Sequence, residues 1–229
     1  GGFFGCSDSS AHGTDVMGEL LARNNSLGSA GVAPGIAASD IWVWGACHSD
    51  GTCSATEIAT ALDSAAAWGT DVVNMSLSGD YHLGEANAAA SAWGNDVFMV
   101  AAAGNNTGSV TRYPAGLSQV LGVSGVKPDS SFASSSPCSV TTVSGYGLHV
   151  DLAAPFWSYN AEPNHEYGDE DEGRCGTSQS TPHVAGVAAL VRAASPSLPN
   201  YSVWDRLTET AKDLGSAGWD AYYGEGLVD

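Results

Sequence analysis

Two stretches, "AAAWGTDVVNM" (residues 65–75) and "ASAWGNDVFMV" (residues 90–100), carry one pattern. A run of small helix-forming residues ends in Trp-Gly, a polar pair follows, and an apolar run then begins. Glycine after small residues is a helix stop, and a short apolar run bounded by turn residues reads as a strand buried on both faces. Two such helix–strand units in succession predict neighbouring strands of one parallel sheet. The alternation extends outward in both directions. "IAASDIWVWG" (36–45) reads as a strand and "SATEIATALDSAAAWG" (54–69) as a helix. Ser54 and Glu57 have the spacing of a capping box, with Ile58, Ala61 and Leu62 on one face. "DVVNMSLS" (71–78), "DVFMVAAAG" (96–104), "QVLGVSGV" (119–126) and "HVDLAAP" (149–155) read as further strands. "LGEANAAASAWG" (83–94) and "STPHVAGVAALVRAAS" (180–195) read as helices, the second with Val184, Val187, Ala188 and Val191 in a stripe. The expected fold is α/β, a doubly wound, mostly parallel sheet with helices on both faces. No linker or low-complexity tract divides residues 1–229, so one domain is expected. Ligands of such sheets bind outside the carboxyl ends of the strands.

Composition narrows the function classes. The chain has 25 acidic residues against 7 Lys+Arg, a net charge of −18. Nucleic-acid binding depends on cations that neutralise phosphates, so that class is set aside. No apolar run approaches the ~18 residues of a membrane-spanning helix, so no membrane partner is expected. Of the five cysteines, Cys47 and Cys53 bracket a short loop and no pair has zinc-finger spacing. Disulfides Cys47–Cys53 and Cys138–Cys175 in an oxidising, extracellular compartment are the favoured arrangement, which leaves Cys6 over. The chain starts at Gly1 and is read as a processed or partial product. Six carboxylates crowd Glu162 to Glu172, but without the D-x-[DN]-x-[DN]-G order of a calcium loop. That run reads as a solvated acidic loop, and no metal ligand is assigned.

Three polar residues sit at predicted strand ends or helix starts: His12 in "HGTDVMGELLA", Asn105 in "AAAGNN" and Ser178 in "CGTSQSTPHVAG". Histidine is a general base near neutral pH. An asparagine amide donates to a developing oxyanion. A serine at a helix N-terminus adds its own backbone N–H and a favourable dipole. Together they are the parts of an acyl-transfer site. Singly, each also suits a structural role, Asn105 as a turn former and the Gly-Thr-Ser turn as a helix cap.

The set resembles the subtilases, the subtilisin-like serine peptidases. "HGTDVMG" is similar to their H-G-T-x-V-x-G motif and "GTSQSTPHVAG" to their nucleophile motif, with "GVAP" (31–34, a strand expected after it), "NMSLSG" (74–79), "AAAGNN" and a closing "YGEGLVD" (223–229) in family order. The resemblance implies Ser178 as nucleophile, His12 as general base and Asn105 as oxyanion donor in a secreted endopeptidase that works through an acyl-enzyme. It implies a polypeptide substrate in extended form, between the Ser76–Gly79 stretch and "WGACHSDG" (44–51). Ser76, Leu77, Ser78, Gly79, Ala102, Ala103 and Gly104 would line the substrate site. Arg112 at the base of the P1 pocket would favour an acidic P1 residue, but the favoured reading is that it faces solvent or pairs with an acidic neighbour, since arginine is mostly exposed. No cofactor is required, and a structural calcium ion is compatible with the family although no ligand set stands out.

One family element is absent. The triad aspartate, in a D-[ST]-G context well before the histidine, does not occur, and only eleven residues precede His12. Asp8 and Asp15 flank His12, and neither is expected to orient the imidazole. A segment N-terminal to Gly1 carrying that aspartate is the expected partner, so residues 1–229 are read as an incomplete domain. The alternative is a catalytically impaired, peptide-binding relative. An α/β-hydrolase would need a G-x-S-x-G elbow, which the chain lacks.

Overall fold

The computed structural model describes residues 11–26, 28–48, 51–105, 108–134, 143–158 and 174–229. In chain order the elements are α1 (His12–Leu21), a 3₁₀ turn (Ala38–Asp40), α2 (Ala55–Trp68), β1 (Val72–Met75), α3 (Leu83–Gly94) and β2 (Phe98–Ala102). There follow β3 (Val120–Val126), β4 (Leu152–Pro155), β5 (Trp157–Ser158), β6 (Arg174–Cys175), α4 (Thr177–Ala194) and α5 (Asn200–Glu209). Strands β1 to β4 form a parallel sheet in sequential order, and β5 pairs with β6 antiparallel.

The two repeated stretches become α2–β1 and α3–β2, adjacent and parallel as their sequences predict. Helix α2 starts where Ser54 Oγ accepts the Glu57 N–H at 3.4 Å, and stops where Gly69 turns left-handed at φ 66°. In the second unit the expected glycine stop is displaced by one residue: Gly94 is still helical and Asn95 forms the cap. The left-handed turn there is taken by Asp96 at φ 66°. Its carboxylate and carbonyl are gripped by the buried Arg192 of α4 at 2.9 and 2.7 Å, and its other carboxylate oxygen accepts the Asn200 N–H of α5. That hub ties three elements together behind the sheet.

Period-two alternation sends successive β2 side chains to opposite layers. Met99 and Ala101 join Ile58, Leu62 and Ala89 beneath α2 and α3, whereas Phe98 and Val100 join Val184, Ala188 and Leu207 beneath α4 and α5. Helices therefore cover both faces, and β2 and β3 are buried along their whole length. Val184 and Ala188 of the predicted stripe are fully buried, with Val187 and Val191 packed against the same cluster.

One sequence-derived strand, the run expected after "GVAP", does not form. Residues 36–45 hold a 3₁₀ turn followed by an unpaired run, in which Trp42 and Val43 are 55% and 60% exposed. Trp42 stacks obliquely on Trp68 instead, with ring centroids 4.5 Å apart. An apolar run encodes a wish for burial, but a strand also needs a neighbour to bond. β1 ends the sheet, and its Val72 and Val73 are only half buried. "GVAP" itself folds back on α1, where Val32 and Ala33 donate to the Glu19 and Leu20 carbonyls and so cap the end of that helix. Helix α5, rich in polar residues, was not expected from the sequence. The acidic run from Glu162 to Glu172, Asp8, Cys6 and Cys138 lie outside the described residues.

Glu85, in the first turn of α3, is buried, and desolvation raises its pKa from 4.5 to about 7. A helix N-terminus favours a carboxylate by ~0.3–1 kcal/mol, less than the burial opposing it. Because the folded pKa lies above the unfolded one, stability is highest below about pH 4.5 and falls until about pH 7, a total on the order of 3 kcal/mol. Glu85→Gln should therefore match the parent's melting temperature near pH 4 and exceed it by several degrees near pH 8. Parallel melting curves at the two pH values would contradict this.

Candidate active site

The carboxyl ends of β1 and β2 and the start of α4 converge. Gly176 precedes α4 at φ 153°, and a Cβ there would press on the Asn105 amide at 3.1 Å and on Gln179 Oε1 at 3.2 Å. Only glycine lets the helix start this close to the strand end. Thr177 comes next, fully buried, and its hydroxyl accepts from the Gly104 N–H at 3.1 Å and donates to Asn105 Oδ1 at 3.1 Å. Its N–H also donates to Asn105 Oδ1, at 2.8 Å. With Oδ1 held by two donors, the amide orientation is fixed, and Nδ2 is left as the outward-facing donor.

Ser178 is half buried in the same first turn. It interlocks with Ser76 just beyond β1: Ser178 Oγ donates to the Ser76 carbonyl at 3.1 Å, and Ser76 Oγ donates to the Ser178 carbonyl at 2.7 Å. Asn74 Nδ2 steadies Ser76 Oγ from within the strand at 3.0 Å. Gly79 and Tyr113 exchange two backbone bonds, at 2.7 and 3.1 Å. Opposite them, a Cβ on Gly104 would meet Arg112 Cγ at 3.1 Å and Ser78 Oγ at 3.4 Å. Ser76, Ser78, Gly79 and Gly104 thus lie together beside Ser178, and Arg112 flanks them with a guanidinium 2.9 Å from Asp80. Ala102 and Ala103 are buried behind them. His149 donates from Nε2 to the Ala103 carbonyl at 3.0 Å, and burial holds its pKa below the usual imidazole value. It supports the wall as a neutral ring.

His12 opens α1, which lies against α4. The close approach comes from Gly186, where a Cβ would strike Val32 and Leu20. In this state the Ser178 hydroxyl proton points to the Ser76 carbonyl, so the hydroxyl must turn before it can donate to a base. Asp15 is buried and ion-paired with Arg174 at 3.2 Å. The Cys47–Cys53 disulfide is formed, and Cys175 is disulfide-bonded as well. Among the described residues no group of three or more His, Cys, Asp or Glu could hold a metal ion, and no helix is long and apolar enough to cross a membrane.

A serine in the first turn of a helix, beside an oriented amide at a parallel strand end, is the arrangement at the head of α4. The subtilase family (peptidase S8) matches residues 5–226. The chain belongs to the subtilase family. It is 35% identical to subtilisin of Bacillus pumilus, over 97% of this chain and 76% of that one. It is 34% identical to a thermostable alkaline protease of Halalkalibacterium halodurans and 36% identical to alkaline elastase YaB of a Bacillus strain. It spans only 57% and 55% of those two proteins. The solved structure of sphericase superposes with a TM-score of 0.84 at 28% identity, covering 98% of this chain and 79% of its own. Ser178, Asn105, Ser76, Ser78, Gly79 and Gly104 lie near one another, whereas Leu77, expected to line the substrate site, packs against the core beneath α2 and α3. The motifs did not reveal Thr177 as the cross-link between Gly104, Asn105 and α4, nor Arg174 as the partner of Asp15. A fully polar Gly-Thr-Ser turn before an apolar helix was the available hint for Thr177.

Proposed function

We propose that this subtilase is a secreted serine endopeptidase. Ser178 Oγ attacks the scissile carbonyl while His12 takes its proton, and the oxyanion is held by Asn105 Nδ2 and the Ser178 N–H. The C–N bond breaks, the amine leaves with the proton from His12, and water then hydrolyses the acyl-enzyme by the same route. The observation that carries this is the clamp on Asn105 Oδ1, which turns a donor outward beside the Ser178 helix terminus. Labelling with a fluorophosphonate probe tests it: the adduct should map to Ser178 and vanish in Ser178→Ala. Intact protein that takes no label would end the proposal.

Substrate would add an extended strand along Ser76–Gly79. Arg112 lies at the P1 corner, but the Asp80 carboxylate offsets its charge. Pairing with an acidic neighbour is the reading of Arg112 favoured from the sequence, and with it a Leu substrate should outperform its Glu counterpart. Asp80→Asn should raise the Glu/Leu ratio of kcat/KM by roughly threefold, since so exposed a pair is strongly screened. An unchanged ratio would remove Arg112 from the pocket.

The carboxylate that orients His12 is proposed to come from polypeptide N-terminal to Gly1. Asp15 is engaged by Arg174, and the open edge at Val72 and Val73 beside the exposed Trp42–Trp44 run suits an added strand. The impaired, peptide-binding reading draws support from one observation, the Ser178 hydroxyl turned to Ser76. Secretion fits the two disulfide-bonded sites.

A further inference from the structure

The position after H-G-T is occupied here by Asp15, whose side chain is 1% exposed. Burying a carboxylate that deeply costs several kcal/mol unless a partner accompanies it. The partner is Arg174 of β6, its Nε 3.2 Å from Asp15 Oδ2. The two residues straddle the site along the chain: Asp15 follows His12 by three residues and Arg174 precedes Ser178 by four.

The beginning of α1 needs such a tether. Ala11 precedes His12 at φ 61°, a left-handed conformation that an alanine adopts only under constraint. Ala11, at the cap position, makes no side-chain cap bond, although capping residues supply ~1 kcal/mol where present. The far end of α1 is pinned separately, by Gly186 against Leu20 and Val32 and by the bonds from Val32 and Ala33. One turn beyond Asp15, Glu19 lies 3.4 Å from His183 Nδ1, but that nitrogen donates to the Gln179 carbonyl at 2.8 Å. Burial lowers the His183 pKa, so the ring is neutral near pH 7 and the contact with Glu19 is polar, not ionic. Among the described residues, Asp15–Arg174 is the pair of permanent charges joining α1 to the nucleophile segment. Arg174 is itself fixed from behind, because β6 pairs with β5 and the adjoining Cys175 is disulfide-bonded.

We propose that Asp15 and Arg174 are positioning residues that clamp the His12 end of α1 onto the strand leading to Ser178, and so set the register of base against nucleophile. The clamp rests on the peptidase assignment of His12 and Ser178. It predicts a loss in the chemical step with little loss in binding, since neither residue belongs to the substrate corner at Ser76–Gly79.

The test uses the complete mature protein, reading both fluorophosphonate labelling of Ser178 and peptide hydrolysis. Arg174→Gln and Asp15→Asn should each slow labelling and lower kcat by about 10–100-fold, with KM changed by less than about twofold. Arg174→Lys keeps the charge and should stay within roughly threefold of the parent. Asp15→Asn/Arg174→Gln removes both charges of this pair together, so its rate should be no lower than that of the worse single variant. Parent-like labelling of Arg174→Gln, single losses that multiply in the double variant, or an effect on KM alone would each overturn the clamp. A parent that is never labelled sinks the peptidase assignment and the clamp with it. A labelled parent with unaffected variants sinks only the clamp.

Discussion

Ser178→Ala should lower kcat by about 10²-fold in the 229-residue chain and by about 10⁶-fold in protein that carries the upstream segment. The two figures follow from how a triad divides its work, and the underlying magnitudes are those of subtilisin itself. There, loss of the serine or the histidine alone removes on the order of 10⁶ in kcat, and loss of the aspartate alone about 3 × 10⁴. A site without its orienting carboxylate has already lost most of that range. What the serine still contributes is then the quotient, roughly 10². His12→Ala should fall with Ser178→Ala to the same floor in either form, and the double variant should go no lower, because the two residues act as one unit. The floor itself comes from binding and from the oxyanion donors. Kinetics on both forms with a single peptide substrate would check this. A full 10⁶-fold drop in the 229-residue chain would place the orienting carboxylate within residues 1–229 and refute an upstream source.

How much of this could be read beforehand depended on whether the controlling interactions were local. The helix–strand units at residues 65–75 and 90–100 were legible because their stop signals and apolar runs act within a few residues, and Ser54 capped α2 as its spacing implied. Residues 36–45 misled because their apolarity is real while, among the described residues, no bonding partner that would make them a strand lies beside β1. Helix α5 escaped notice because its hold on the fold is tertiary, through Val203 and Leu207 in the core and Asn200 on Asp96. At the site, His12, Asn105 and Ser178 announce themselves through tight turn chemistry around reactive side chains. Thr177 and Arg174 do not, since their partners lie 72 residues away in one case and across a helix interface in the other. Long-range polar pairing leaves almost no trace in a single sequence. The aspartate at the variable position of H-G-T-x-V was visible, but its meaning waited on the arginine opposite.

Asn105 offers the second large effect, and the way its amide is held allows donor and scaffold to be separated. Asn105→Ala should reduce kcat by about 10²–10³-fold, ~2.7–4 kcal/mol, with KM nearly unchanged, the order found for an oxyanion-hole amide in subtilisin. Alanine, however, also strips Thr177 of an acceptor for its N–H and hydroxyl. Asn105→Asp keeps an oxygen in the Oδ1 position and so preserves both of those bonds. It replaces only the outward donor, by an oxygen that repels a developing oxyanion. Its melting temperature should remain closer to the parent's than that of Asn105→Ala, while its kcat falls at least as far. Thr177→Val makes the converse change. It leaves Nδ2 in place but removes the hydroxyl that accepts from Gly104 and donates to Asn105, and the Gly104 N–H, 3.1 Å from that oxygen, loses its partner inside the protein. Leaving such a group unsatisfied costs about 1–3 kcal/mol of stability, and the loosened amide should lower kcat by roughly tenfold, less than removal of the donor. Thr177→Ser keeps the hydroxyl and should behave as the parent. If Asn105→Asp retained near-parental kcat, the oxyanion would have to be held by groups other than Asn105 Nδ2, and the clamp on Oδ1 would be purely structural.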